Sequence, residues 1–301
     1  MNKIINILKP TGMTSHDVVS RVRRILNTKK VGHTGTLDPD ASGVLPICIG
    51  KATKVSELIL NKDKSYICEL TLGITTDTYD SSGSIIKRAE DFKIIKEDIE
   101  KAFETQRGEI EQFPPIYSAL KVNGKKMCDL ARNGKADDIV LKSRKVNIKE
   151  LNILSINDKK IMFYVKCSKG TYVRSICHDI GEYLGCGGHM SFLLRTSSGR
   201  FNLENSITLE ELEEFNESGT LDKYLYDIDY VLNNFKSVTL KSSALKYYSN
   251  GGIIDSKRFS TDGINENDEF VRVYSDGNFL GVGKLIKDNK TISLKSDKIF
   301  V

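Results

Sequence analysis

The densest concentration of residues able to do chemistry is the segment Val31-Gly32-His33-Thr34-Gly35-Thr36-Leu37-Asp38-Pro39-Asp40-Ala41-Ser42-Gly43-Val44-Leu45-Pro46. Its glycines permit tight turns and close backbone approach, and Pro39 pushes Asp38 out of the helical region, so a carboxylate stands on a shaped loop. With a reference pKa of about 3.9, such an Asp is ionised at neutral pH unless burial raises it. Asp before Pro is also a common turn opener, and the pair alone does not separate the two readings. Other chemistries fail on spacing. Gly43 and Gly50-Lys51 are separated by six residues where a phosphate-binding loop has four, and Ala52 stands where a magnesium-binding Ser or Thr belongs. Cys177, His178, Cys186 and His189 could be read as zinc ligands of a metal-dependent hydrolase, but Cys177-His178 is adjacent and the glycine run 185–188 breaks knuckle spacing.

The chain has 301 residues, enough for one large domain or two ordinary ones. Hydrophobic residues at 39% and charged residues at 28% exclude a disordered chain and a membrane bundle. The N-terminal apolar run from Ile4 to Leu8 is too short for a secretory signal or a span. Six scattered cysteines without a C-x-x-C pair point to reduced thiols in the cytoplasm. The net charge of +5 conceals an asymmetry: residues 1–62 carry +6, residues 121–145 carry +5 and residues 204–231 carry −8. A protein that lays one face along a phosphate backbone has this division, and so has one with ordinary solvated faces.

These residues need elements to position them. Thr14 to Asn27 reads as an amphipathic helix with Thr14 and Asp17 spaced as a cap. Lys64 to Leu72 reads as a strand, Asp77 to Gly83 as a polar loop and Asp98 to Glu104 as a short helix. Residues 105–145, rich in Gly, Pro and Lys, read as an excursion from the core, with Pro114-Pro115 stiffening its entrance. A strand over Ile161 to Lys166 precedes a helical pattern from Val173 to Leu184, then an acidic helix at Glu210 to Glu214. After Asn233-Asn234 the texture changes to short strands, at Val238–Leu240, Phe270–Tyr274, Phe279–Ile286 and Thr291–Lys295. Asp276-Gly277 is a strong two-residue hairpin signal between two of them. The expected organisation is α+β, with one domain over 1–232 and a small β domain over 233–301.

Several segments together resemble one family, the TruB family of tRNA pseudouridine-55 synthases. They are Lys9-Pro10-Thr11-Gly12-Met13-Thr14-Ser15, Gly32-His33-Thr34-Gly35-Thr36-Leu37-Asp38-Pro39, Lys64-Ser65-Tyr66, Pro114-Pro115-Ile116-Tyr117-Ser118-Ala119-Leu120-Lys121, Cys167-Ser168-Lys169-Gly170-Thr171-Tyr172-Val173-Arg174-Ser175 and Leu184-Gly185-Cys186-Gly187-Gly188-His189. They occur in the family's order and cover most of residues 1–200.

The resemblance implies a mixed β-sheet core flanked by helices, with a C-terminal PUA-like β barrel. It implies an isomerase that detaches uracil from C1′ of a T-loop uridine in tRNA and rejoins it through C5. That reaction is redox-neutral and consumes no second substrate, so no cofactor and no metal are expected. By the same resemblance Asp38 attacks C1′ or assists through C2′, much as a glycosidase carboxylate meets oxocarbenium-like charge. Arg174 pairs with Asp38. Tyr66 packs on the base and is a candidate for proton transfer, and Tyr172 and Leu193 line the pocket. His33 fills the space left by the flipped nucleotide. Lys9 and Pro10 brace the loop, and Lys9 is also counted with the substrate-binding residues. Lys125, Lys126 and Arg132 lie where the family clasps the T arm. The partner is then tRNA, with no membrane, and the protein a monomer in the cytoplasm. A non-catalytic tRNA-binding chaperone on the same scaffold is the alternative.

Overall fold

The computed structural model describes residues 1–122, 124–134, 141–260, 263–265, 267–288 and 291–300, with the side chains of Lys121 and Lys126 outside the description. Lys135, part of the basic stretch 121–145, also lies outside the described residues.

Among the described residues the core is a ten-stranded mixed sheet, eight strands of which form one continuous path, with the short strands Val31–His33 and Phe201–Asn202 paired beside it. The eight are β1 (Ile4–Lys9), β2 (Ser42–Ile49), β3 (Lys64–Leu72), β4 (Gly108–Gln112), β5 (Arg144–Asn157), β6 (Lys160–Cys167), β7 (Gly188–Ser198) and β8 (Leu225–Tyr226), in the order β8-β1-β2-β7-β3-β6-β5-β4. Every neighbouring pair is antiparallel except β2 and β7, which run parallel through Leu194↔Ser42 and Arg195↔Gly43. The apolar run at the N-terminus is β1, whose Ile4, Ile5 and Ile7 are fully buried because side chains on both faces of this strand are covered.

Helix α1 (Ser15–Ile25) begins at a complete capping box, in which Thr14 accepts from the Asp17 amide and Asp17 accepts from the Thr14 amide. Its Val18, Val19 and Val22 pack on Ile5, Ile7 and Ile47, together with Leu209 and Leu212 of the acidic helix Leu209–Glu217. A second cluster sets Ile176, Cys177 and Ile180 of the helix Val173–Tyr183 against Cys68 and Leu70 of β3, with Ile99 and Phe103 of the helix Lys96–Glu104 beside them. The expected excursion over 105–145 begins later than its composition suggests. Residues 108–112 are edge strand β4, paired with β5 from Ile148↔Gly108 to Arg144↔Gln112, with Glu109 and Glu111 exposed along it. Beyond Pro115 come a small hairpin, Lys121–Val122 with Lys125–Lys126, and the short helix Met127–Arg132.

The last residues form a second sheet of β9 (Lys236–Thr239), β10 (Ile253–Asp255), β11 (Phe270–Ser275), β12 (Asn278–Asp288) and β13 (Thr291–Ile299), in the order β9-β11-β12-β13-β10. Ser275 pairs with Asn278, and Asp276 (φ 48°) and Gly277 (φ 77°) make the turn between them, both left-handed as a type I′ hairpin requires. Val282 and Phe300 of this tail pack on Ile4, Val44 and Cys48 of the main sheet. Lys51 and Lys54 donate to the carbonyls of Phe300 and Ile299 at 3.0 and 2.9 Å.

The charge blocks do not divide into two clean faces. Arg21 reaches Glu210 and Glu213 at 3.3 and 3.6 Å, Lys3 pairs with Asp227, and Arg23 donates to the Val31 carbonyl. Much of the N-terminal basic excess is therefore spent inside the protein. No helix among the described residues is long and apolar enough to cross a membrane.

Candidate active site

Asp38 sits on the loop between strand Val31–His33 and β2. Thr34 leaves the strand with its amide bonded to the Pro46 carbonyl at 3.1 Å. The Ala41 amide bonds to the Asp38 carbonyl at 3.1 Å, closing a turn with Asp38 first and Pro39 second. The turn-opener and the presented-carboxylate readings of Asp38-Pro39 thus hold together. Three contacts fasten this loop from beneath. Ser15 both accepts from the Leu37 amide and donates to its carbonyl, the Gly12 amide bonds to the Pro39 carbonyl, and Lys9 Nζ donates to the carbonyls of Pro10 and Pro39 at 2.7 and 3.0 Å.

Lys9, counted above with the substrate-binding residues, is fully buried and its ammonium is turned to those loop carbonyls. It braces the loop, and its charge acts on Asp38. Burial lowers its pKa to about 8. Gly43, where β2 leaves the loop, has φ 115° and lies against the backbone of Arg195, into which any Cβ would collide. Gly43→Ala is expected to destabilise the fold by about 1–3 kcal/mol, read as a lower midpoint in urea unfolding.

Arg174 lies in the first turn of the helix Val173–Tyr183, here called α2, and is 6% exposed. Its Nη2 donates to Asp38 Oδ1 at 3.2 Å, and Nε lies 3.1 Å from Oδ2 as an ion-pair contact without a hydrogen bond, so one edge of the guanidinium faces the carboxylate at two points. Nη1 lies 3.1 Å from Asp80 Oδ2 and donates to the Thr78 carbonyl at 3.0 Å, and Nη2 also donates to the Tyr117 carbonyl. One guanidinium therefore joins two carboxylates and three loop segments. The helix start is fixed by Gln112, whose side chain exchanges two hydrogen bonds with the Tyr172 backbone at 2.8 and 3.1 Å.

Asp38 has the electrostatics of a contested carboxylate. Burial raises its pKa, Arg174 opposes that, Asp80 adds to it and Lys9 opposes it. Its side chain nevertheless keeps about a third of its surface, 36%, open to a substrate. Tyr66 on β3 and Arg195 on β7 stand opposite each other in the sheet. Burial pushes the Tyr66 hydroxyl up to about 12, so it keeps its proton at neutral pH. Arg195 is 1% exposed and donates from Nε to the Val44 carbonyl at 2.6 Å and from Nη2 to the Gly35 carbonyl at 3.2 Å, tying the Asp38 loop to the sheet.

The other expected residues fall at different distances from this centre. Leu193 joins Tyr66, Leu37 and Ala41 in one buried cluster. Tyr172 precedes α2, half-buried, with the Arg144 guanidinium 5.0 Å over its ring. His33 accepts from the Gly35 amide at Nδ1, and burial lowers its pKa, leaving a neutral ring beside the loop. Lys125 and Arg132 are exposed on the hairpin and short helix beyond Pro115, and the Lys126 side chain lies outside the description. Cys177 and His189 do not converge: Cys177 Sγ lies 3.5 Å from Cys68 Sγ, and His189 Nδ1 bonds with the Ile74 carbonyl. Among the described residues no group of His, Cys, Asp and Glu could hold a metal ion.

Sequence patterns do not single out Asp80, Arg195 or Gln112. Asp80 hides in a loop of ordinary turn formers, and Arg195 and Gln112 gain their meaning only from partners far along the chain. The assembly is a buried arginine paired with a partly open carboxylate, with a tyrosine and a leucine in the buried cluster beside the loop that carries it. It suits attack on, or proton removal from, a sugar carrying a flat base.

This chain belongs to the TruB family of pseudouridine synthases: the family's N-terminal domain model matches residues 23–173, and the tRNA pseudouridylate synthase B C-terminal domain model matches residues 174–233. It is 75% identical to the tRNA pseudouridine synthase B of Clostridioides difficile over the whole of both chains. It is 49% identical to that of Alkaliphilus oremlandii, over 94% of this chain and 93% of the relative. Among solved structures it resembles a chain of a Cbf5-Nop10-Gar1 complex, with a TM-score of 0.76 and 29% identity over 99% of this chain and 85% of that one. The chain is an isomerase of tRNA that converts uridine to pseudouridine.

Proposed function

We propose that the target is the uridine at position 55 in the T loop, that the nucleotide is flipped out of the loop, and that Asp38 acts on its ribose at C1′ or C2′. The observation that carries this reading is the pairing of Arg174 with Asp38, set on a loop braced by Lys9, Ser15 and Arg195. Uracil leaves C1′ by breaking its N1 bond, turns in place and rejoins through C5; the C5 proton is lost to solvent and N1 takes up a proton, so the product is an isomer of the substrate. Tyr66 and Leu193 give the free base an apolar seat, and the Tyr66 hydroxyl is the group at hand for the proton. His33, neutral and close in sequence to Asp38, occupies the space the nucleotide leaves, which offsets part of the few kcal/mol that flipping costs. Tyr172 forms the pocket's outer wall.

The same reading divides the chain into a catalytic domain over 1–232 and a PUA-like RNA-binding domain over 233–301, acting as a monomer in the cytoplasm. The basic stretch around Lys125, Lys126 and Arg132 clasps the T arm through phosphates, a contact that fixes position without reading sequence. Replacing these three by Gln is expected to weaken tRNA binding and to reduce the slope of log affinity against log salt by roughly 2 to 3. Titrations at several salt concentrations measure it, and an unchanged slope removes the clasp. The choice of uridine is tested by mapping pseudouridine along a tRNA transcript incubated with the protein: modification confined to position 55 supports the reading, and modification elsewhere overturns it.

A further inference from the structure

Arg174 and His178 are four residues apart on α2, so they project from the same face one turn from each other. Arg174 holds the 77–83 loop by charge, through the Thr78 carbonyl and Asp80. The His178 ring lies flat on the ring of Tyr79, the residue between those two, with centroids 3.8 Å apart and planes 5° from parallel. Tyr79 adopts φ 62°, a left-handed conformation unusual for a bulky residue. Its backbone is pinned as well, since the Met190 amide of β7 bonds to its carbonyl and the Ser81 amide returns to the Met190 carbonyl. The strained turn points Asp80 inward, where Oδ1 is occupied by Thr78 and Ser82 and Oδ2 is left for Arg174. His178 Nδ1 is buried without a hydrogen-bond partner, so the stack on Tyr79 is not accompanied by a hydrogen bond from that nitrogen.

We infer that His178 and Tyr79 are positioning residues for the reaction: their stack clamps the 77–83 loop to α2 and thereby sets the Arg174 pairing that aims Asp38. This inference rests on the reading of Asp38 and Arg174 given under Proposed function. The clamp touches no substrate and acts only through Asp80, Thr78 and Arg174.

The test measures kcat and KM on a tRNA transcript for His178→Leu, His178→Phe and Tyr79→Phe, and for His178→Leu combined with Asp80→Asn. His178→Leu is expected to lower kcat about tenfold with KM within about twofold, because the reacting groups and not the RNA contacts are displaced. His178→Phe and Tyr79→Phe keep two stacked rings and are expected to hold kcat within about twofold of wild type. In the Asp80→Asn background His178→Leu is expected to add less than about twofold, since the residue it acts through is already lost. An unchanged kcat in His178→Leu, a Phe variant as impaired as Leu, a change confined to KM, or losses that multiply with Asp80→Asn would each overturn the clamp. Should His178→Leu fail to fold, Tyr79→Leu takes its place: a kcat about tenfold lower with KM within about twofold supports the clamp, and an unchanged kcat overturns it. Asp38→Asn is assayed alongside: turnover there removes the site reading itself, whereas a dead Asp38→Asn with a fully active His178→Leu removes only the clamp.

Discussion

Asp38→Asn is expected to lower single-turnover rates by at least about four orders of magnitude while leaving tRNA affinity within about twofold. Asn is nearly isosteric and still accepts from Arg174 Nη2, so the loop, held by Lys9, Ser15 and Arg195, has no reason to move. What is lost is the negative charge and the lone pair that meet positive charge building on the ribose. Equilibrium binding beside single-turnover kinetics separates the two quantities. Comparable losses of binding and rate would mean that Asp38 contributes RNA contact and not chemistry. A retained rate would mean that another group does the work, and a protein that merely binds and refolds tRNA would show no turnover even with Asp38 intact.

The second large effect is at Arg174. Arg174→Lys keeps a positive charge but replaces a planar fork by a single ammonium, which cannot serve Asp38, Asp80 and the Thr78 and Tyr117 carbonyls together. A loss of about 100-fold in kcat is expected, comparable to removing one preorganised donor from an active site. Arg174→Met removes the charge altogether, and its effect has a definite sign. Burial raises the Asp38 pKa and Arg174 is the largest force opposing that, so without it Asp38 binds its proton at still higher pH. The reactive form is ionised, so the acidic limb of the kcat profile must move to higher pH in Arg174→Met and much less in Arg174→Lys. A limb that stays put in both, or moves to lower pH, would mean that Arg174 does not hold Asp38 in its charged state.

Features written in a few adjacent residues are legible in the sequence itself. The Thr14 and Asp17 cap, the β3 strand from Lys64 to Leu72, the Asp276-Gly277 turn and the Asp38 loop each depend on local spacing, and each is where the spacing puts it. Features created by partners far along the chain are not. Arg195 reads as an unremarked basic residue until β7 is laid beside β3, when it faces Tyr66 and closes on Gly35 and Val44. Gln112 belongs to a stretch that composition marks as an excursion, yet it ends an edge strand and holds the backbone of Tyr172 just before the helix carrying Arg174. Strand β10 is three residues long, too short for a period-2 pattern to show. The basic block of residues 1–62 suggests a phosphate-facing surface, but charge counts say nothing of pairing, and Arg21, Lys3, Lys51 and Lys54 are engaged within the protein. For Lys9 the resemblance implies both a brace and a substrate contact, and the structure adds the partners of the brace, the carbonyls of Pro10 and Pro39.

The central claim is that Asp38, held by Arg174, drives exchange of the glycosidic bond from N1 to C5 without help from another reagent. Release of tritium from a tRNA transcript carrying uridine labelled at C5 reports that exchange directly, since the label leaves only when C5 becomes the point of attachment. With purified protein and no added cofactor, close to one equivalent per tRNA is expected from wild type and none above background from Asp38→Asn. No release from wild type, or equal release from the variant, would contradict the account.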